Sequence, residues 1–147
     1  MNGDPIPDSN HIARYCPPGK IDHDPVTMKP IGVSKDNFIR TIKKGILERG
    51  ISVNWIEKHE KSTINEGLSS IRNRMESYPY KVSDNGTFAV AKVCVIKGAG
   101  KKFSKELSVI EDHRPDDDSH ALLLGIEIED SILQQEIALT MDPYPTK

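Results

Sequence analysis

The stretch DHRPDDDSH, residues 112–120, concentrates side chains that could transfer protons or bind cations. Histidine titrates near neutral pH and aspartate can orient it, so His120 is a candidate general base, with Asp118 as its partner and Ser119 as a substrate-binding neighbour. Adjacent aspartates alternate in direction along an extended chain, and the calcium-loop pattern D-x-D-x-D-G is absent, so no metal site is assigned. Two alternatives stay open: an ion shared by Asp116 and Asp118, and a solvated acidic turn.

A second set of reactive residue types lies in HIARYC, residues 11–16. If this segment forms one helical turn, His11 and Arg14 face the same side. Arg14 could then hold a phosphate or carboxylate while His11 transfers a proton, and Tyr15 could contact the substrate. Cys16 becomes a nucleophile only where a nearby base lowers its pKa. The alternative is structural: Arg14 pairs with an acidic residue and Tyr15 packs.

Two further motifs carry weaker signals. In SVNW, Asn54 and Trp55 could line a pocket from one strand, although a lone tryptophan is more often part of a core. GAGKK resembles a phosphate-binding loop only superficially. Gly98 and Gly100 are two positions apart and no serine or threonine follows Lys101, so the Walker spacing fails. We interpret GAGKK as the basic tip of a hairpin.

The motifs RYC, SVNW and DDDSHA occur together in this chain. In this combination the sequence resembles a group of short uncharacterised bacterial proteins that share an R-Y pair near the N-terminus, an S-V-x-W strand and a D-x-S-H segment. The resemblance covers these motifs rather than the whole chain, and it implies no particular reaction. It implies greater functional weight for six residues, which are Arg14, Tyr15, Trp55, Asp118, Ser119 and His120.

The composition is typical of one globular domain. The chain has 147 residues, of which 29% are charged and 36% apolar, which is enough to bury a core without disulfides or metal. No apolar run approaches the roughly 18 residues of a membrane helix, and the first residues lack the features of a signal peptide. Cys94 lies in an apolar run, where a thiol usually acts as a small hydrophobic side chain. These features predict a cytoplasmic protein with reduced thiols, no membrane partner and no assignable cofactor.

The net charge of −2 conceals an uneven distribution. Residues 35–105 carry fifteen Lys/Arg and seven Asp/Glu, a net +8, whereas residues 106–147 carry two and eleven, a net −9. One hypothesis is that the acidic end folds back and masks the basic middle. The other is that the middle offers a surface to phosphate groups.

The predicted elements come from periodicity and capping signals. Proline, aspartate and glycine predict an irregular N-terminal arm over residues 1–33, packed on an α+β domain over 34–147. Ser34 is a candidate helix cap, and the Thr63–Glu66 pair forms a capping box for a helix that Pro79 would end. The predicted elements of the domain are a short helix within 34–50 that Gly45 weakens, strands over 51–57, 87–98, 103–111 and 121–128, helices over 62–78 and 130–141, and a frayed end over 142–147.

This order predicts a single α+β domain with an antiparallel or mixed sheet and two or three helices. For function, we favour a binding or accessory module that docks onto a partner protein through the arm and the acidic loop, because no catalytic signature is complete. The alternative is a small hydrolase or transferase for a phosphate-bearing substrate, with Arg14 binding the anion, His120 as base and Asp118 orienting it. A weaker alternative is nucleic-acid contact through the basic middle. The enzyme hypothesis gains support if His11, Arg14 and His120 lie together in one cleft, and it fails if they lie on opposite faces.

Overall fold

The computed structural model describes residues 1–77 and 81–147. Three α-helices accompany a six-stranded antiparallel sheet and two small hairpins, which confirms the predicted single-domain α+β fold. The strands are β1 His11–Cys16, β2 Ile21–His23, β3 Pro30–Val33, β4 Ile42–Lys43, β5 Ile46–Leu47, β6 Ile51–Trp55, β7 Thr87–Lys92, β8 Ser108–Glu111, β9 His120–Leu124 and β10 Asp142–Pro145. The helices are α1 Ile64–Glu76, α2 Val93–Lys101 and α3 Ser131–Thr140, with short 3₁₀ helices at Pro18–Lys20, Lys35–Phe38 and Ile56–His59.

The large sheet has the strand order β10-β7-β1-β6-β9-β8 and is covered on both faces. Successive side chains of a strand point to opposite faces, so each strand contributes to two cores. On one face, Ile12 and Val53 belong to a cluster with residues of α2 and α3. On the other face, Ala13 and Phe88 pack with residues of α1. Helix α1 leaves part of its face free for polar side chains.

The N-terminal segment differs from the prediction of an irregular arm with one short turn. Strand β1 lies in the middle of the sheet, between β7 and β6. Ile12 and Ala13 are both buried although they point to opposite faces, as expected for a central strand that is covered on both sides, and the prolines lie outside that strand, where they remove no ladder hydrogen bond. His11 and Arg14, three positions apart, therefore point to opposite faces of the sheet rather than sharing one side.

The segment after residue 33 also differs from the prediction, although Ser34 caps a 3₁₀ helix as expected by accepting a hydrogen bond from the Asp36 N–H. The chain then forms the β4–β5 hairpin instead of continuing a helix. Lys44 and Gly45 both have positive φ, 53° and 76°, which a two-residue hairpin turn requires and a helix forbids. Gly45 is therefore the turn residue of a hairpin rather than a weak position in a helix.

Several other elements follow the local signals. Strands β6 and β9 start within one residue of the predicted positions but end at residues 55 and 124, short of the predicted 57 and 128. Thr63 caps α1, and Asp130 caps α3. The role assigned to Pro79 falls outside the described residues. The expected long strand over 87–98 is wrong beyond residue 92, because the chain turns there into α2.

Helix α2 includes GAGKK up to Lys101, so these residues form neither a loop nor a hairpin tip. Val93, Ile96 and Ala99 recur at helical spacing and are buried. The C-terminal residues predicted to fray form the edge strand β10 against β7. Cys94 is exposed on α2, contrary to the expectation of a buried thiol, whereas Cys16 is buried in the sheet. None of the described helices is long and apolar enough to cross a membrane.

Candidate functional site

A polar cleft opens where the pairing of β1 with β6 stops after two residue pairs. Beyond that point the guanidinium of Arg14 fills the gap: Nε donates to the Asn37 carbonyl at 3.1 Å and Nη1 to the Ser52 carbonyl at 2.9 Å. A backbone carbonyl at the edge of a ladder needs a donor, and here a charged side chain supplies it. Arg14 is thereby fixed at the base of the cleft.

The cleft encloses a cavity of about 370 Å³. Its floor is the sheet, and its walls come from the β4–β5 hairpin, the C-terminal part of α1 and the loop before β9. The apolar lining consists of Ala13, Tyr15, Pro17, Met75 and Val82. The charged lining consists of Arg14, Lys43, Arg74 and Arg114 together with Glu48, Asp116 and Asp117.

His120 lines this cleft and is held there through one ring nitrogen. Its Nδ1 lies 3.0 Å from both the backbone carbonyl oxygen and Oδ2 of Asp112. Both atoms are acceptors, so Nδ1 carries the proton and Nε2 carries the lone pair. Burial lowers the pKa of His120, and the Arg114 charge adds to this while Asp112 opposes it. His120 is therefore a neutral imidazole at pH 7, with Nε2 free of hydrogen bonds to any described residue.

Asp117 lies in the same cleft with both carboxylate oxygens held. Oδ2 accepts a 2.7 Å hydrogen bond from the Asn54 amide, and Oδ1 accepts two from Ser119, at 3.1 Å from its N–H and 2.8 Å from its hydroxyl. Asn54 projects from β6 and Ser119 immediately precedes β9, so two neighbouring strands fix the carboxylate.

A buried chain of hydrogen bonds supports Asp117 from behind. Ser119 is 1% exposed, and its hydroxyl oxygen lies 2.8 Å from His59 Nε2 and 2.9 Å from the Asn54 amide nitrogen. The single hydroxyl proton goes to Asp117, so the oxygen accepts from both of the other groups. His59 is then protonated on Nε2, and its Nδ1 accepts a 2.7 Å hydrogen bond from Ser70. Burial lowers the pKa of His59, consistent with this neutral form.

The Ser119–His59 pair is therefore a support and not a nucleophile–base pair. A nucleophilic serine would have to give its proton to the histidine and meet a substrate. Ser119 is buried, and its proton is directed at Asp117 instead.

The structure brings together part of the predicted site. Arg14, Tyr15, Asn54 and His120 all line the cleft, and Ser119 lies directly behind it. Tyr15 also packs edge-on against Phe88.

Three predicted site residues lie elsewhere. His11 is outside the cleft, with Nδ1 2.7 Å from Glu57 Oε2. Trp55 donates its indole N–H to Asn10 at 2.8 Å and packs on the opposite core. Asp118 is exposed and lies 3.4 Å from Arg74, so it does not orient His120. Asp112 has that role instead.

Sequence reasoning missed several residues of the site. The sequence did contain a signal for Asp117. In the D-x-S-H motif, which ends in Ser119 and His120, the motif's aspartate is Asp117, and Asp118 occupies the x position. Asp112 and His59 had none, because they join the site only through the tertiary fold. The same holds for the cations contributed by the hairpin, α1 and the loop, which are Lys43, Arg74 and Arg114.

The cleft is lined by four cationic side chains and three carboxylates, and Arg14 is the cation that no carboxylate pairs among the described residues. Lys43 lies 3.1 Å from Glu48, and Arg114 lies 3.6 Å from Asp112, so their charges are partly compensated. Arg14 has only carbonyl partners among the described residues, and although burial lowers its pKa, a guanidinium stays charged. Within residues 1–77 and 81–147, no three His, Cys, Asp or Glu side chains are grouped so that they could hold a metal ion.

Comparison of the chain with protein-family models, with curated proteins and with solved structures gave no match. We therefore argue function from the geometry of the cleft, because a fold by itself does not specify an activity.

Proposed function

We propose that this protein is a small hydrolase or transferase that acts on a phosphate-bearing ligand in the polar cleft. The three-residue arrangement of His11, Arg14 and His120 set out from the sequence is not formed, because His11 lies outside the cleft, so the proposal is a narrower one that uses Arg14 and His120 without His11. The observation that carries the proposal is the anchoring of His120 Nδ1 on Asp112, which leaves a basic Nε2 in a cavity also lined by Arg14. A general base must be neutral and must have its lone pair directed at the reacting group. A phosphate needs fixed cationic donors, and Arg14 is held in place before any ligand binds.

In this proposal the ligand's anionic group lies near Arg14, with Lys43 and Arg114 adding charge at the rim. His120 Nε2 takes the proton of the attacking group, which is water in hydrolysis or an acceptor hydroxyl in transfer. The resulting imidazolium is stabilised by Asp112 and then returns its proton to the leaving group. Asp112 is a positioning residue, because it acts only through His120.

The docking and nucleic-acid alternatives have less support. Docking was expected through the irregular arm over residues 1–33 and the acidic loop over residues 112–120, whereas residues 11–16 of that arm form a central strand. Nucleic-acid contact requires uncompensated basic residues in the middle of the chain. Three of the fifteen basic residues there pair with the acidic end, at Arg40–Glu127, Arg74–Asp118 and Lys102–Glu136.

Hydrolysis of generic phosphate esters tests the proposal. We expect the wild-type chain to release p-nitrophenol from p-nitrophenyl phosphate or from its diester, and His120→Gln to lower kcat/KM by roughly a hundredfold or more. His11→Gln is the matched control, because His11 lies outside the cleft, and it should retain wild-type activity. A wild-type chain inactive on both esters would contradict the proposal, and so would an undiminished His120→Gln variant.

A further inference from the structure

The Asp117 carboxylate retains one unused hydrogen-bonding position in the cleft. An ionised carboxylate has about four acceptor positions, two on each oxygen. Ser119 occupies both positions of Oδ1, and Asn54 occupies one of Oδ2. Among the described residues nothing else donates to Oδ2, and Asp117 lines the cavity.

The carboxylate cannot easily turn away from the cavity. Asn54 is 5% exposed and Ser119 is 1% exposed, so rotation of Asp117 would leave two buried sets of donors unpaired. His59 and Ser70 hold the Ser119 hydroxyl in turn, which ties the orientation of Asp117 to α1 and to the 3₁₀ helix Ile56–His59. The remaining acceptor of Asp117 is thus built into the fold before a ligand arrives.

The surroundings of Asp117 determine which donor fits. A ligand ammonium would meet Arg14, Lys43 and Arg114 as well as the carboxylates of Glu48, Asp116 and Asp117, so the charge of the cavity does not select it. A metal ion lacks a third protein ligand among the described residues. A hydroxyl supplies the one donor that Oδ2 can still accept without adding a charge to the cavity, and it can belong to the same molecule as the anionic group.

We propose that the ligand is a phosphate ester bearing a free hydroxyl group, which donates to Asp117 Oδ2 while the cations of the cleft bind the phosphate. This inference rests on the proposed function and narrows it to hydroxylated phosphate esters. Asp117 is the specificity-determining residue. His59 is a positioning residue, because it acts through Ser119.

Two small esters with the same three-carbon skeleton test the proposal. Glycerol 3-phosphate carries two hydroxyls, and n-propyl phosphate carries none. Binding of each to the full chain is measured by calorimetry, and the result is the ratio of the two Kd values. We expect the wild-type protein to bind glycerol 3-phosphate about tenfold more tightly or better, since a hydrogen bond to a charged group has this strength.

Variants locate the source of the preference. Asp117→Ala should bring the ratio close to one, and the ratio cancels the general effect of removing a negative charge. His59→Phe should reduce the preference, whereas His59→Gln, which retains an N–H donor, should restore part of it. His11→Gln should leave the ratio unchanged. Circular dichroism checks that each variant is folded, and the wild-type ratio decides even if Asp117→Ala does not fold.

The outcomes separate this inference from the proposed function. Failure of both esters to bind the wild-type chain contradicts the inference and the proposed function together. Equal binding of the two esters overturns the inference alone, as does an Asp117→Ala variant that keeps the preference. If both esters bind and the ratio of their Kd values is as expected, the result supports both the inference and the proposed function.

Discussion

At the residue scale, the environment of each histidine matters more than its presence in a motif. His11 and His120 were equally plausible acid–base groups by residue type. In both histidines Nδ1 lies beside a carboxylate, Glu57 for His11 and Asp112 for His120, and Nε2 has no hydrogen-bond partner among the described residues. Only His120 lines the cleft, so only its Nε2 is placed to meet a ligand there.

His59 and His120, the two partly buried histidines of the site, should make the free energy of unfolding depend on pH. Burial lowers the pKa of His59 and of His120 below 6.5 in the folded chain. The unfolded chain therefore binds more protons just below pH 6.5, and the free energy of unfolding should fall as pH decreases from 6.5. Well above pH 6.5 both histidines are neutral in the folded and in the unfolded chain, so protonation no longer lowers the free energy of unfolding.

Chemical denaturation at a series of pH values between 6.5 and 4.5 measures this slope. The carboxylates contribute mainly below that window, since the ordinary pKa of glutamate is 4.5. The double variant His59→Gln/His120→Gln should flatten the dependence, while His23→Gln, an exposed position, should retain it. A wild-type chain that is equally stable across the window would show that neither histidine is neutral and buried as described.

At this scale, sequence analysis identified residues of the cleft better than it identified their hydrogen-bond partners. Arg14, Tyr15, Asn54 and His120 were all identified and all line the cleft. The partner of His120 was assigned to the nearest aspartate in sequence, but Asp112 reaches it through the antiparallel return of the chain between β8 and β9. Such contacts depend on strand register, which local patterns do not encode.

At the element scale, the β4–β5 hairpin forms one wall of the cleft. It contributes Lys43 and Glu48, and its turn depends on the positive φ of Gly45. Sequence analysis predicted a helix here because isoleucines recur near helical spacing. The turn chemistry of Lys44 and Gly45 was the stronger signal.

Gly45→Ala tests the role of this turn. A side chain at φ +76° is strained even though no atom lies within 4 Å of the added Cβ, so we expect a loss of about 1 kcal/mol in the free energy of unfolding. We also expect weaker binding of phosphate esters, because Lys43 would shift. Denaturant titration and calorimetry measure the two effects.

Gly98→Ala is the matched control. It too has open space around an added Cβ, but it lies within α2 at ordinary helical geometry. It should be stabilised by about 0.5–1 kcal/mol, with ligand binding unchanged. Equal effects of the two substitutions would mean that the hairpin conformation does not depend on the glycine.

Elements with strong local signals were predicted well, and elements defined by tertiary context were not. Helix α1 has the Thr63 cap, which accepts a hydrogen bond from the Glu66 N–H, and α3 has the Asp130 cap. Helix α2 has no side-chain cap and directly follows β7 within one apolar run, so nothing local marks the change. Strand β1 was concealed by the surrounding prolines.

At the scale of the whole molecule, the cleft depends on segments from the entire chain. Its residues come from the N-terminal strand, the middle hairpin, α1 and the acidic loop. Three ion pairs join the basic middle to the acidic end, at Arg40–Glu127, Arg74–Asp118 and Lys102–Glu136, and masking of the whole basic segment stays a prediction. The antiparallel sheet brings Arg14 and His120 to one cavity even though they are far apart in sequence.

The most direct test of the central claim is an imidazole ¹⁵N NMR measurement on His120, with and without inorganic phosphate. We expect the free protein at pH 7 to show His120 protonated on Nδ1, and phosphate to shift its Nε2 resonance while the His11 resonances stay in place. A His120 protonated on Nε2, or one whose resonances are unmoved by saturating phosphate, would contradict a general base in a phosphate-binding cleft.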